Sequence, residues 1–298
     1  MVVSAELLRL RRRATDVAHL MRLHRPIGIF LLLWPMLWAL WIASQGRPDI
    51  TILLVFVAGT VVMRSAGCVI NDFADRDIDP HVKRTRDRPI AARRISPREA
   101  LVLFTVLVLL ALWLVTRLDT KTVMYSLIGA ALTITYPFMK RFFPLPQFYL
   151  GAAFGWAVPM VFVATVGEVP RIGWLLFIVT LLWAGVYDTL YAMVDRDDDV
   201  KLNVKSTAIL FGDMDRFIIG AMQLMVLFGL YLAGQAAGLG LGFHVALCIG
   251  ALLFAWQQWL IRKRDRDACF RAFLNNNYFG FVVFAGAVWD LSLLPQLT

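Results

Sequence analysis

Residues 51–79 read TILLVFVAGTVVMRSAGCVINDFADRDID. The first twenty residues are almost entirely apolar, the length a helix needs to cross roughly 30 Å of hydrocarbon. They run directly into a cluster of carboxylates. The rest of the 298-residue chain repeats the apolar half of this pattern, with runs near 26–44, 51–70, 100–116, 122–138, 148–166, 173–193, 217–234, 241–260 and 275–293. Hydrophobic residues make up 59%, charged residues only 17%, and the mean hydropathy is +0.68. That balance excludes an ordinary soluble domain and a disordered chain.

Lys and Arg set an orientation, because positive charge accumulates in cytoplasmic loops. With the N-terminus inside, 1–25, 71–98, 138–146, 194–216 and 261–273 are also inside. Of the 30 Lys and Arg, only Arg47, Arg117, Lys121, Arg171 and the intramembrane Arg64 fall elsewhere. The expectation is an all-α integral membrane protein of nine transmembrane helices, a single domain over 1–298, with the active-site mouth on the cytoplasmic side. The net charge of +9 then reads as orientation and attraction to anionic lipid, and calls for no nucleic acid. Residues 1–25 are expected to form a cytoplasmic amphipathic segment: Leu7, Leu8, Leu10, Val17 and Leu20 alternate with Arg as in an interfacial helix, a better reading than a transit peptide. Cys68, Cys248 and Cys269 have neither disulfide nor zinc spacing.

A second acidic stretch, DTLYAMVDRDDDVKLNVKST at 188–207, matches the first at an offset of 120, aligning Asp75 with Asp195 and Asp79 with Asp199. The second and sixth apolar runs point the same way, so both motifs reach one membrane face. This suggests a pseudo-repeat of two four-helix units plus a final helix around a central cavity. Steps of three and four put Arg64, Cys68, Asn71, Asp75 and Asp79 on one helix face, and Asp188, Tyr191, Asp195 and Asp199 on another.

Carboxylates converging on one cavity repel each other, and burying them without a cation costs several kcal/mol. Mg²⁺ takes oxygen ligands and is commonly held by one or two carboxylates together with a substrate's phosphate oxygens. Two separated Asp groups therefore suggest two ions clamping a diphosphate. Basic residues complete the clamp: Lys83, Arg84 and Arg88 after the first motif, Lys205 after the second, and Lys140 and Arg141 after the fourth run. Arg64 and Asp188, ionisable within apolar segments, read as functional; on spacing alone Tyr136 reads as an interfacial belt residue.

At these motifs the sequence resembles the UbiA superfamily of intramembrane prenyltransferases, and within it the 4-hydroxybenzoate polyprenyltransferase branch. The resemblance rests on NDxxDxxxD (Asn71, Asp72, Asp75, Asp79), DxxYAxxDxxxD (Asp188, Tyr191, Ala192, Asp195, Asp199) and YPFMKR (Tyr136 to Arg141). It extends through LMRLHRPIGIFLLLWP, KSTAILFG and FLNNNYFG, nearly the whole chain. One departure is Asn203, where a Gly is expected; Asn tolerates the left-handed backbone.

The resemblance implies an inner-membrane enzyme of ubiquinone synthesis. It would pass a polyprenyl group from its diphosphate to the ring carbon of 4-hydroxybenzoate ortho to the hydroxyl. Asp72, Asp75, Asp79, Asp195 and Asp199 are then the expected metal residues, with Asn71 beside them. Arg84, Arg88, Lys140, Arg141 and Lys205 are expected to neutralise diphosphate, and Tyr136 and Tyr191 to stabilise the allyl cation. Arg22, Arg25 or Arg64 would hold the acceptor carboxylate, and Asp188 or Asp72 would draw the phenol proton. Other branches take haem, homogentisate or dihydroxynaphthoate as acceptor. A secondary transporter would also explain the helices and charges, but not two Asp clusters each followed by basic residues. Isoprenoid chain length and oligomeric state are not legible in the sequence.

Overall fold

The computed structural model describes residues 2–82, 85–139, 141–201 and 204–293, with the side chains of 2–5 and 293 left aside. The described residues are helical, with no strand among them. Helix α1 is Val2–Leu20, α2 Ile27–Ala43, α3 Ile50–Ala74, α4 Pro97–Val115 and α5 Thr120–Met139. Then come α6, Pro146–Gly155; α7, Ala157–Val166; α8, Arg171–Lys201; and the short α9, Thr207–Phe211. Helices α10, Asp215–Ala236, α11, Leu241–Leu260, and α12, Arg266–Leu293, complete the chain.

Local sequence explains many of the ends. Asp49 caps α3 by accepting from the amides of Thr51 and Ile52 at 2.7 and 3.0 Å. Ser96 and Glu99 form a reciprocal capping box on α4, with Pro97 in the first turn. The apolar run 148–166 is broken into α6 and α7 at Trp156. Pro159 has no amide to give the Gly155 carbonyl and crowds it.

Each of the nine apolar runs lies on a helix or, for α6 and α7, on a broken pair. Among the described residues, seven helical segments are long and apolar enough to cross a membrane. Helix α2 is apolar but only 17 residues long. Helix α12 has 28 residues but carries Asn275, Asn276 and Asn277, which lower its hydropathy. These amides are paired within the bundle. Asn276 Oδ1 accepts from Trp183 Nε1 at 2.9 Å, Asn277 Oδ1 from Trp34 Nε1 at 2.9 Å, and Asn275 Oδ1 from Gln257 Nε2 at 3.0 Å. They connect α12 to α8, α2 and α11.

Packing closes the helices into a ring. Helix α3 lies on α4, α5 on α6 and α7, α6 on α8, α8 on α10, α10 on α11, α11 on α12, and α12 back on α2. The main core is aromatic where α2, α8 and α12 meet: Trp38, Trp183 and Phe279 are at most 1% exposed, and Trp38 and Trp183 lie 5.1 Å apart. A second cluster sits under α1, whose Leu20 is fully buried with Ala66 and Val69 of α3. Leu7, Leu8 and Leu10 are exposed. Ion pairs from Arg13 to Glu99 and from Asp16 to Arg94 fasten α1 to the start of α4.

The two motif helices end differently. Helix α8 continues through the whole second motif, so Asp195 and Asp199 stay on one face. Helix α3 stops at Ala74, and Asp79 lies on a single 3₁₀ turn, Asp79–His81. Pro80 then keeps a helix from resuming through this turn, since it cannot donate to the Arg76 carbonyl. The column expected on the first motif is thus helical only as far as Asp75.

Close packing of α11 on α12 depends on Gly286, where a Cβ would lie 2.5 Å from the Ala246 Cβ and 3.1 Å from the Gly242 carbonyl oxygen. Gly286→Val is expected to lower stability by about 1–3 kcal/mol, the usual cost of overpacking. Gly59→Ala, with nothing within 4 Å of its Cβ, should be neutral in the same thermal melt in detergent.

Candidate functional site

Both acidic motifs line one polar cavity of about 180 Å³. Its wall includes Asn71, Asp75, Asp79 and Arg88 from the first motif region and Asp188, Tyr191, Asp195, Asp199 and Lys205 from the second. Tyr136 from the end of α5 completes it. A larger, mostly apolar cavity of about 390 Å³ lies between α2, α3, α4, α5, α7 and α8. The two share Asn71, Arg88, Tyr136, Asp188 and Tyr191 as a common wall.

Compensation of the first motif's charge is visible residue by residue. Arg88 reaches Asp79 Oδ1 and Oδ2 at 3.1 and 2.8 Å, and Asp72 Oδ1 at 3.1 Å. Arg22 donates to Asp72 Oδ1 at 2.6 Å from a left-handed backbone, φ +59°. That conformation is uncommon for a side-chain-bearing residue and is held by this ion pair. Asn71 Nδ2 donates to Asp75 Oδ2 at 3.2 Å.

Burial raises the Asp79 carboxyl above its ordinary pKa, Asp75 and Asp72 push the same way, and Arg88 opposes them. Burial works against the Arg88 charge, but Asp72 and Asp79 outweigh it and raise its pKa. Arg88 therefore stays a cation inside the protein.

Asp72 is fully buried and lines neither cavity. Its role in the geometry is to anchor Arg22 and Arg88, and its Oδ2 has no hydrogen-bond partner among the described residues. Arg141 donates from Nη2 to the Ala74 carbonyl at 2.7 Å, tying the region after α5 to the C-terminus of α3 rather than facing either cavity. Lys205 lines the polar cavity and donates to the Phe142 carbonyl at 3.1 Å. Lys83, Arg84, Lys140 and Asn203 lie outside the described residues.

Among the three arginines expected near an acceptor carboxylate, the surroundings differ. Arg22 is engaged by Asp72, and Arg25 is exposed at the rim of the large cavity. Arg64 lines that cavity with its Nε buried and without a hydrogen-bond partner among the described residues. Gly28 makes room for it: a Cβ there would lie 2.4 Å from Arg64 Nε. The guanidinium also lies over the Phe154 ring at 5.8 Å.

Some wall residues escaped the sequence reading. Gln147 lines the polar cavity and accepts from the Thr207 amide at 3.0 Å, with no signal beyond its place among apolar neighbours. Phe270 and Phe273 line the large cavity, and Phe273 lies 4.9 Å from the Tyr191 ring. Their three-residue spacing at the start of α12 was the available signal.

The polar wall fits a hard divalent cation. Its candidate donors are carboxylate and amide oxygens, on both sides of a space large enough to admit water or phosphate oxygens. Among the described residues no three His, Cys, Asp or Glu converge into a cage by themselves. Such a set would bind an ion completed by water and phosphate oxygens.

Residues 32–283 match the UbiA prenyltransferase family. The chain belongs to that family. It is 58% identical to the 4-hydroxybenzoate octaprenyltransferase of Alkalilimnicola ehrlichii over 95% of this chain and 97% of the relative. It is 57% identical to the enzyme of the same name from Nitrosococcus oceani, over 93% and 97%. A solved UbiA homologue from Aeropyrum pernix superposes with a TM-score of 0.77 at 28% identity, covering 88% of this chain and 97% of that one. A homologue from Archaeoglobus fulgidus, solved bound to GPP and Mg²⁺, shares the fold at a TM-score of 0.71 and 16% identity, covering 90% and 99%.

Arg88 is the arginine that holds Asp79, whereas Asp72 also has Arg22, so removing Arg88 strands the buried Asp79 carboxylate, a change worth about 3–5 kcal/mol. Arg88→Met should lower the thermal midpoint accordingly in detergent. Adding Asp79→Asn to that variant should recover part of the loss, which independent effects would not do.

Proposed function

We propose that this protein is a 4-hydroxybenzoate polyprenyltransferase. It transfers a polyprenyl group from its diphosphate to the ring carbon ortho to the hydroxyl, giving 3-polyprenyl-4-hydroxybenzoate in ubiquinone biosynthesis. The observation that carries the reading is the shared wall: a polar cavity lined by both acidic motifs opens against an apolar one across Asn71, Arg88, Tyr136, Asp188 and Tyr191. A diphosphate head belongs in the first and a prenyl tail in the second. The identity of the acceptor is supported by relatives at 53–58% identity over nearly the whole chain, all named 4-hydroxybenzoate octaprenyltransferase. A transporter reading leaves this head-and-tail division unexplained.

In this reading the chain is one transmembrane domain in the inner membrane, crossing it nine times, with the N-terminus and the polar cavity on the cytoplasmic side. Asp75, Asp79, Asp195 and Asp199, with the Asn71 amide beside them, would hold Mg²⁺ directly or through water. Mg²⁺, when bound, supplies positive charge that stabilises the departing diphosphate. Arg88 and Lys205 add fixed charge at the same end.

Cleavage of the allylic C–O bond sends its electron pair to the diphosphate and leaves a cation on the prenyl carbon. Tyr191 and Phe273 are placed to stabilise it at the edge of the apolar cavity, by about 0.5–2 kcal/mol per ring. The acceptor ring carbon forms the new bond to that carbon and loses its proton. Asp188 lines both cavities and Asp72 neither, so Asp188 is the better placed to take the phenol proton. Arg64 pairs with the acceptor carboxylate: it lines the apolar cavity, half-buried, with Nη1 on Cys68 Sγ at 2.6 Å and Nε buried, whereas Arg22 is committed to Asp72.

Membranes should transfer label from geranyl diphosphate to 4-hydroxybenzoate with Mg²⁺. EDTA, Asp75→Ala or Asp195→Ala should each abolish transfer. Labelling of a different aromatic acceptor would move the protein to another branch, and labelling of none would sink the enzyme reading. Arg64→Met should raise KM for 4-hydroxybenzoate at least tenfold while changing KM for the diphosphate less than threefold; equal effects on both would remove Arg64 from the acceptor site.

A further inference from the structure

The last two turns of α8 pose an electrostatic problem that the first motif does not. They carry Asp195, Asp197, Asp198 and Asp199, four carboxylates at the C-terminal end of a helix, where the backbone dipole is already negative. Mutual repulsion and the dipole both favour fraying, yet the helix is regular to Lys201. The first motif avoids the difficulty because α3 ends at Ala74, before Asp75 and Asp79.

The compensation comes from elsewhere in the chain. Asp215, at the start of α10, is fully buried. Arg264 Nε approaches its Oδ1 and Oδ2 at 3.1 and 3.0 Å, and Arg264 Nη2 donates to Oδ1 at 2.8 Å. Arg196, inside the second motif, donates from Nη1 to Asp215 Oδ2 at 3.3 Å. Arg264 has left-handed backbone, φ +58°, a strained choice for Arg. It is fixed there by the fork to Asp215 and by a 2.9 Å bond from Nη2 to the Asp213 carbonyl. Two residues on, Arg266 pairs with Asp197 at 3.1 Å and Asp198 at 3.4 Å.

We infer that Asp215, with Arg264 of the α11–α12 connection and Arg266 at the start of α12, forms a positioning clamp that holds the end of α8 helical and so keeps Asp195 and Asp199 aimed into the polar cavity. Arg196 is gripped from behind by Asp215, while Arg266 neutralises the outward carboxylates Asp197 and Asp198. Asp195 and Asp199 line the polar cavity. None of the three clamp residues lines either cavity, so they act through α8 rather than on substrate. The link to metal binding rests on the function proposed above; the local order of α8 does not.

Two readouts separate these levels. Hydrogen–deuterium exchange without Mg²⁺ should speed up at least tenfold for the amides of 195–201 in Asp215→Asn, with 175–190 unchanged. The milder Arg266→Gln, at a half-exposed residue, should give a smaller increase in the same segment. In the transfer assay the Mg²⁺ concentration for half-maximal rate should rise at least fivefold in Asp215→Asn, with KM for 4-hydroxybenzoate within twofold of wild type.

Exchange that stays at the wild-type rate in both variants overturns the clamp. So does faster exchange spread over the whole chain in Asp215→Asn with none at 195–201 in Arg266→Gln. Faster local exchange with an unchanged Mg²⁺ requirement overturns the link to metal binding. Absence of transfer in the wild type counts against the proposed function and leaves the exchange result standing.

Discussion

A carboxylate inside a helical bundle surrounded by lipid must be matched by positive charge or it will not stay ionised there. Much of the functional end of this protein is organised by that requirement. At the first motif the match is made by Arg88, buried between Asp72 and Asp79, with Arg22 reaching over from the turn after α1. At the second, the outward carboxylates Asp197 and Asp198 meet Arg266 at the start of α12.

The same constraint separates polar from apolar space. Carboxylates, Asn71 and Lys205 gather at one end, while the larger cavity is lined mostly by apolar residues, with Arg64 set among them away from the shared polar wall. A cation formed at the boundary would face aromatic rings instead of bulk water. That arrangement suits a reaction in which an allyl cation must meet a ring carbon before it meets a hydroxyl.

Polar residues also hold the apolar part of the bundle together. Lipid provides little hydrophobic force between helices, so packing and interhelical hydrogen bonds carry more of the specificity. Helix α12 shows this most clearly. Its three consecutive asparagines make it too polar to pass as a spanning helix by hydropathy, yet they bond to α2, α8 and α11 and place the helix among them. Hydropathy averages a helix over all its faces and so underrates one whose polar face is turned inward.

Helix positions, the two acidic motifs and their shared end of the bundle were all legible in the sequence, because each depends on local order. A run of about twenty apolar residues spans the hydrocarbon, and steps of three and four share a face whatever surrounds them. Pro80 was legible in the same way, as a residue that keeps a helix from running through it, although its effect on the Asp75–Asp79 column was not drawn from it. The partners of the charges were not legible. Arg22 meets Asp72 across 50 residues, Arg264 meets Asp215 across 49, and Asn277 meets Trp34 across 243. No periodicity encodes such pairings, since they depend on how the helices pack. Only the tertiary structure could therefore decide that Asp72 anchors arginines instead of lining a cavity, and that Arg64 lines the apolar cavity with its Nε buried while Arg22 is held by Asp72 and Arg25 lies exposed at the rim.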